Sequence, residues 1–167
     1  MLDLMILYVI YEYELSMYLI QKKIYEVFGE FSKPSFGAIK PALTKLEKSG
    51  FIKSRKTFSD GGKLTGYYSI TSDGKKAFKS LIMEDLSTNP IQFKQNSAIK
   101  IIASELLPKD LQKTMLEALS RQIELLKIDA EKKLQKNSRI NFYQKILIDN
   151  LIVEYNNYLK LIENFGK

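Results

Sequence analysis

The stretch SFGAIKPALTKLEKSGFIKSRKTFSDGGKLTGYY, residues 35–68, constrains this chain more than any other. Ser35 suits a helix N-cap, because a hydroxyl can take one of the backbone N–H groups that the first turn leaves unbonded. Ala38, Ile39, Ala42, Leu43 and Leu46 then recur at three- and four-residue steps, which marks one buried helical face. Pro41 falls one turn past the cap. A proline there bends or loosens the start of the helix, where deeper in a helix it would cost ~3 kcal/mol. Gly50 ends the helix, since glycine accepts the left-handed geometry of a C-cap. Two strand-like runs, 51–58 and 64–71, flank Ser59-Asp60-Gly61-Gly62-Lys63, a loop of hairpin-turning residues. A capped helix therefore runs directly into a hairpin with a basic tip.

Charge is concentrated on the same unit. Between Lys33 and Lys63 there are eight Lys/Arg (33, 40, 45, 48, 53, 55, 56, 63) against Glu47 and Asp60, so 8 − 2 = +6 of the chain's formal +7. Scattered lysines only solvate a surface, and those of the C-terminal half read that way. A cluster on one helix–hairpin unit is the electrostatic footprint of a nucleic-acid binder. Helix and hairpin together read as the recognition helix and wing of a winged helix-turn-helix.

The same residues carry a family resemblance. Ser35-Phe36-Gly37-Ala38-Ile39-Lys40-Pro41-Ala42-Leu43, with Leu46-Glu47 and Gly50-Phe51-Ile52, resembles the central signature of PadR-like transcriptional regulators. Tyr68-Ser69-Ile70-Thr71-Ser72-Asp73-Gly74 resembles the closing motif of that family, and Leu15–Ile20 its second-helix entry, with Tyr18 in the expected place. The resemblance spans about residues 2–80; Met17 stands where the family usually has Gly, and Lys40 where an aromatic is common. It implies a DNA-binding repressor whose two wings are respaced by a small effector, often aromatic or hydrophobic.

The composition excludes more than it suggests. With no Cys and no His the chain can form no disulfide, thiolate nucleophile, Cys/His metal site or Ser-His-Asp triad. Neither a Walker-type phosphate loop nor a GxGxxG is present, and Gly61-Gly62-Lys63 reads as a hairpin turn. No acidic cluster has metal-loop spacing, so neither an enzyme nor a cofactor is expected. No apolar run approaches the ~20 residues of a membrane span. The apolar start, MLDLMILYVIYEY, lacks a basic n-region and a small-residue cleavage site, so it reads as a buried helix of a cytoplasmic protein.

In order, 2–11 is apolar nearly all round, as suits a helix enclosed by others. Tyr8 and Tyr11, three apart, are core aromatics or the lining of an effector pocket. Ser16 caps a second helix running to about Phe28, and Thr71 or Ser72 caps another through Met83. Ser87-Thr88-Asn89-Pro90 reads as linker, and 98–107 as a short apolar helix. Beyond it Leu111, Met115, Leu119, Ile123 and Leu126, then Tyr143, Leu147, Leu151, Tyr155, Tyr158 and Ile162, form two apolar stripes at helical spacing. These stripes are wider than one antiparallel helix pair covers, which points to burial between subunits, the alternative being intramolecular packing on the winged helix.

The expected architecture is mainly α with a small β-hairpin wing. It divides into a winged helix-turn-helix (1–86), a linker (87–97) and a helical dimerisation region (98–167). The expected partners are duplex DNA, a second copy of the chain and an unidentified small effector, with no membrane. Ser35, Phe36 and Lys40 would face base edges, and Lys33, Lys45, Arg55, Lys56 and Lys63 the phosphates. The alternative from another class is a winged-helix protein-interaction module whose wing docks an acidic protein surface.

Overall fold

The computed structural model describes residues 1–58, 62, 64–136 and 140–165. The chain divides into two compact units, Met1–Leu107 and Pro108–Lys167.

The first unit is built around α1 (Leu2–Val9), whose Leu4, Met5, Ile6, Leu7 and Val9 are all buried. Burial on every side follows from its neighbours: α2 (Met17–Phe28), α3 (Phe36–Lys48), α4 (Ser72–Met83) and α5 (Pro90–Ala103) each pack against it. Ser16 caps α2, its hydroxyl accepting from the Leu19 N–H at 3.3 Å, so Met17 begins a normal helix. Ile20, Ile24 and Phe28 of α2, and Ile39, Leu43 and Leu46 of α3, complete the core with Phe78 and Ile82 of α4.

Three strands form one antiparallel sheet in the order β1 (Leu15–Ser16), β3 (Leu64–Ile70), β2 (Ile52–Phe58). The register sets Ile52 opposite Ile70 and Phe58 opposite Leu64, so β2 and β3 make the expected hairpin. β1 is a two-residue strand laid on the other edge of β3, Leu15 opposite Tyr68. Only residue 62 of the connecting loop is described.

One boundary differs from the sequence reading. Residues 90–103, partly assigned to a linker, are helical and belong to the first unit. Asn89 is the N-cap, its side-chain oxygen accepting from the N–H groups of Ile91 and Gln92 at 3.1 and 3.2 Å, and Pro90 fills the first helical position, where no N–H is needed. The division falls at Leu107/Pro108 instead, after a 3-10 turn over Ser104–Leu106.

The second unit is a pair of long helices packed on each other, α6 (Lys109–Lys136) and α7 (Phe142–Phe165). Of the residues expected at a subunit contact, Met115, Leu119, Ile123, Tyr155 and Ile162 are already buried within the chain. Leu111, Leu126, Leu151 and Tyr158 are half-buried, while Leu147 is exposed. Among the described residues no helix is long and apolar enough to cross a membrane.

Candidate nucleic-acid interface

The recognition surface begins at the loop before α3. Gln21 and the Tyr25 hydroxyl, both on α2, donate to the Pro34 carbonyl at 3.2 Å, which fixes the approach to the helix. Ser35 occupies the N-cap of α3 with extended backbone, yet its hydroxyl makes no capping bond and stays exposed. The helix runs unbroken through Pro41, because the buried stripe Ile39, Leu43 and Leu46 anchors it on both sides of the proline. Opposite that stripe Lys40, Pro41, Thr44, Lys45, Lys48 and Ser49 line a shallow depression, with Phe36 at the N-terminal end of the helix also exposed.

The helix ends at Ser49, and Gly50 takes a φ of 74°, the left-handed conformation that glycine tolerates. Phe51 turns the chain straight into β2, where Ile52 is buried and Lys53, Arg55 and Lys56 are exposed. The hairpin is pinned at its base by Thr71. Its N–H donates to the Phe51 carbonyl at 3.0 Å, and its hydroxyl lies 2.7 Å from the Gly50 carbonyl oxygen. That hydroxyl also accepts from the Gly74 N–H at 3.0 Å, capping α4.

Lys33, Ser35, Phe36, Lys40, Lys45, Arg55 and Lys56 are thus all exposed on the α3–wing unit. Lys63 lies outside the described residues. Two of these cations have intramolecular partners that sequence reasoning missed. The Lys45 ammonium meets Asp3 Oδ2 of α1 at 2.7 Å, and this hydrogen bond holds its pKa above the usual lysine range. The Arg55 guanidinium donates through Nε to both Glu14 oxygens, at 2.9 and 2.7 Å, and lies over the Tyr67 ring. Partners 42 and 41 residues away leave no local signal in a sequence.

Tyr8 and Tyr11 do come together. Both line a cavity of about 670 Å³ in the first unit, with Val9, Leu15, Val27 and Leu106 as apolar wall and Glu12, Glu14 and Glu105 among its polar groups. Each tyrosine also has a packing role. Tyr8 meets Phe28 edge-on at 5.2 Å and its hydroxyl donates to Glu105; burial first, and then this bond, push its pKa up. Tyr11 packs on Phe78 at 5.1 Å, with the Lys75 ammonium 4.4 Å from its ring centroid. Among the described residues no group of three or more acidic, His or Cys side chains is placed to hold a metal ion.

A helix ended by a left-handed glycine, a basic hairpin and a third short strand closing the sheet define a winged helix-turn-helix. Residues 6–80 match the transcriptional regulator PadR-like family, so the winged helix of this chain resembles that family's. Bacillus subtilis PadR in complex with operator DNA resembles the chain with a TM-score of 0.50 and 21% identity, over 99% of this chain and 97% of that one. The same protein in complex with p-coumaric acid gives 0.43 and 19%, over 99% and 93%. A transcriptional regulator TA0346 from Thermoplasma acidophilum gives 0.43 and 26%, over 47% and 74%. Among curated proteins none matches the chain.

Proposed function

We propose that the protein is a homodimeric, sequence-specific repressor that reads an inverted-repeat operator in duplex DNA from the cytoplasm. The observation that carries this reading is the exposed basic surface of α3 and the wing, set on a rigidly packed winged helix. In this reading α3 enters the major groove with Ser35, Phe36 and Lys40 toward the base edges. Lys33, Lys45, Arg55, Lys56 and Lys63 hold phosphates and set the register, which supplies affinity more than sequence choice. Fold likeness to a protein seen on operator DNA agrees with it.

The second copy is recruited through the helical unit. Leu125, Phe142, Tyr143 and Leu147 stand 68–76% exposed on α6 and α7, an apolar exposure that a lone chain does not explain. The Tyr8/Tyr11 cavity supports an effector site for a small aromatic or hydrophobic molecule, since its volume lies within the ~300–1,000 Å³ usual for such sites and its wall carries aromatic and aliphatic side chains.

The test is a selection of bound duplexes from randomised oligonucleotides, followed by salt titration. A selected inverted repeat is expected, with an affinity that falls steeply with salt. Replacing Arg55, Lys56 and Lys63 by Ala should weaken all duplexes alike, whereas replacing Ser35, Phe36 and Lys40 should blur the selected motif. No selected motif and no salt dependence would instead leave the winged-helix protein-interaction module.

A further inference from the structure

Among the described residues, Lys45 and Arg55 are the two recognition-surface cations whose geometry is at odds with a simple phosphate clamp. Their partners, Asp3 and Glu14, are neither on α3 nor on the wing. Asp3 sits in the first turn of α1 and Glu14 in the segment leading into β1. The carboxylates are sunk, with side chains 22% and 26% exposed, and the cations lie over them at 70% and 61%. Each cation therefore presents its outer side to solvent while a fixed negative charge waits behind it. Arg55 is held hardest: Nε spans both carboxylate oxygens, and Nη2 meets Oε2 at 2.5 Å.

In water such exposed pairs contribute little to stability. For a polyanion the consequence is larger. A phosphate approaching Lys45 or Arg55 meets a neutral pair, releases fewer counterions on binding, and must displace or face a carboxylate. We propose that Asp3 and Glu14 are built-in competitors of DNA phosphate at Lys45 and Arg55, holding sequence-independent affinity down. This inference rests on the reading of the α3–wing surface as a duplex-binding face. It changes what two of its residues do: Lys45 and Arg55 are gated contacts, and Lys33, Lys40, Lys53 and Lys56 carry the ungated charge. The benefit is to selectivity, since a genome offers ~10⁶–10⁹ competing non-specific sites and weak binding to them raises the specificity ratio.

The experiment uses the full chain and a random-sequence duplex, with affinity read by fluorescence anisotropy between 50 and 200 mM salt. The double variant Asp3→Asn, Glu14→Gln should bind more tightly than the wild type. Its log–log salt slope should be steeper by about 1.8, at ~0.9 for each of two recovered phosphate contacts. Its advantage should accordingly shrink roughly tenfold across that salt range. Asp73→Asn, which neutralises a carboxylate paired with Lys76 on α4, controls for net charge alone and should move the slope little. In a Lys45→Ala, Arg55→Ala background the same two amide substitutions should steepen nothing. Weaker binding by the double variant would make the carboxylates positioning groups and overturn the proposal. So would an unchanged slope, or equal steepening in the alanine background. A wild type that shows no salt-dependent duplex binding would instead overturn the functional reading beneath it, and the two failures are told apart by that first titration.

Discussion

Gly74 gives the sharpest test of how this winged helix is held together. It lies in the first turn of α4 and is buried where the helix start meets Phe51 and the end of β3. A Cβ there would sit 1.9 Å from the Phe51 carbonyl oxygen and 2.8 Å from Ile70 Cγ1. Ordinary contact begins near 3.4 Å, so the substituent is 3.4 − 1.9 = 1.5 Å too close to a backbone atom. That backbone has little room to give. The Phe51 carbonyl accepts from the Thr71 N–H at 3.0 Å, and the Thr71 hydroxyl bonds both sides of the junction. Gly74→Ala must then overpack the junction, at ~1–3 kcal/mol, and loosen at least one hydrogen bond, at ~0.5–1.5 kcal/mol. A loss of about 3 kcal/mol follows, and at ~4–8 °C per kcal/mol for a unit of this size the melting point should fall by roughly 12–24 °C. Urea denaturation followed by circular dichroism measures it, with the slope unchanged if the native fold survives. Gly37→Ala is the control. A Cβ at Gly37 meets only Ser35 Oγ, at 3.6 Å, so the exposed helix should gain about 0.5–1 kcal/mol from losing a glycine. Were Gly74→Ala to melt within a few degrees of the wild type, the claim that Phe51, Thr71 and Gly74 lock the wing to α4 would be wrong.

Two more predictions follow from single side chains. Lys100 is only 4% exposed, its amine donates to the Glu84 carbonyl at the end of α4, and burial holds its pKa below the lysine range against the pull of Asp85 and Glu84. The unfolded chain then binds more protons than the native one just below the ordinary lysine value of about 10.4. Stability should rise with pH toward that value in the wild type relative to Lys100→Met, and profiles that stay parallel all the way up to about pH 10.4 would refute this. On the helical unit, Leu125→Glu with Leu147→Glu should abolish a sedimenting dimer while leaving helicity intact, because both side chains already face water in one chain. Ile123→Glu should instead unfold α6 against α7, since it buries an unpaired charge. Equal outcomes from the two sets would remove the distinction between inner seam and outer face.

How much of this was legible in the sequence depended on whether the deciding interaction was local. The Ser16 and Thr71 caps, the Gly50 stop and the β2–β3 hairpin are set within a few residues of chain, and each stands where its residue type predicts. β1 was not legible: two residues show no alternation, and Leu15–Ser16 becomes a strand only because Tyr67 and Tyr68 offer a free edge. Asn89-Pro90 satisfied both a linker and a helix start. What decides for the helix is burial of Phe93, Ser97 and Lys100 at four- and three-residue spacing, a stripe disguised by its two polar members. The candidate site divides the same way. The concentration of positive charge on α3 and the wing is visible in composition, whereas the ties of Lys45 to Asp3 and Arg55 to Glu14 need the fold to close first.

In the helical unit the residue spacing predicts two stripes wider than one helix pair covers, with the excess buried against a partner subunit. Packing of α6 on α7 consumes the centre of the stripes, Met115, Leu119 and Ile123 on one helix and Tyr155 and Ile162 on the other. What remains outward are the flanks. Leu125 and Ile128 lie three apart on α6; Phe142 and Ile146, and Tyr143 and Leu147, lie four apart on α7, so each set shares a helical face. A stripe too wide for its partner helix thus sorts by angle, its middle filling the seam and its margins left at the surface. Residue type alone cannot separate the two, because a leucine at the margin looks like a leucine at the centre. The residues to test for dimerisation are therefore the exposed flanks, and substitutions along the stripe's midline would report on folding instead.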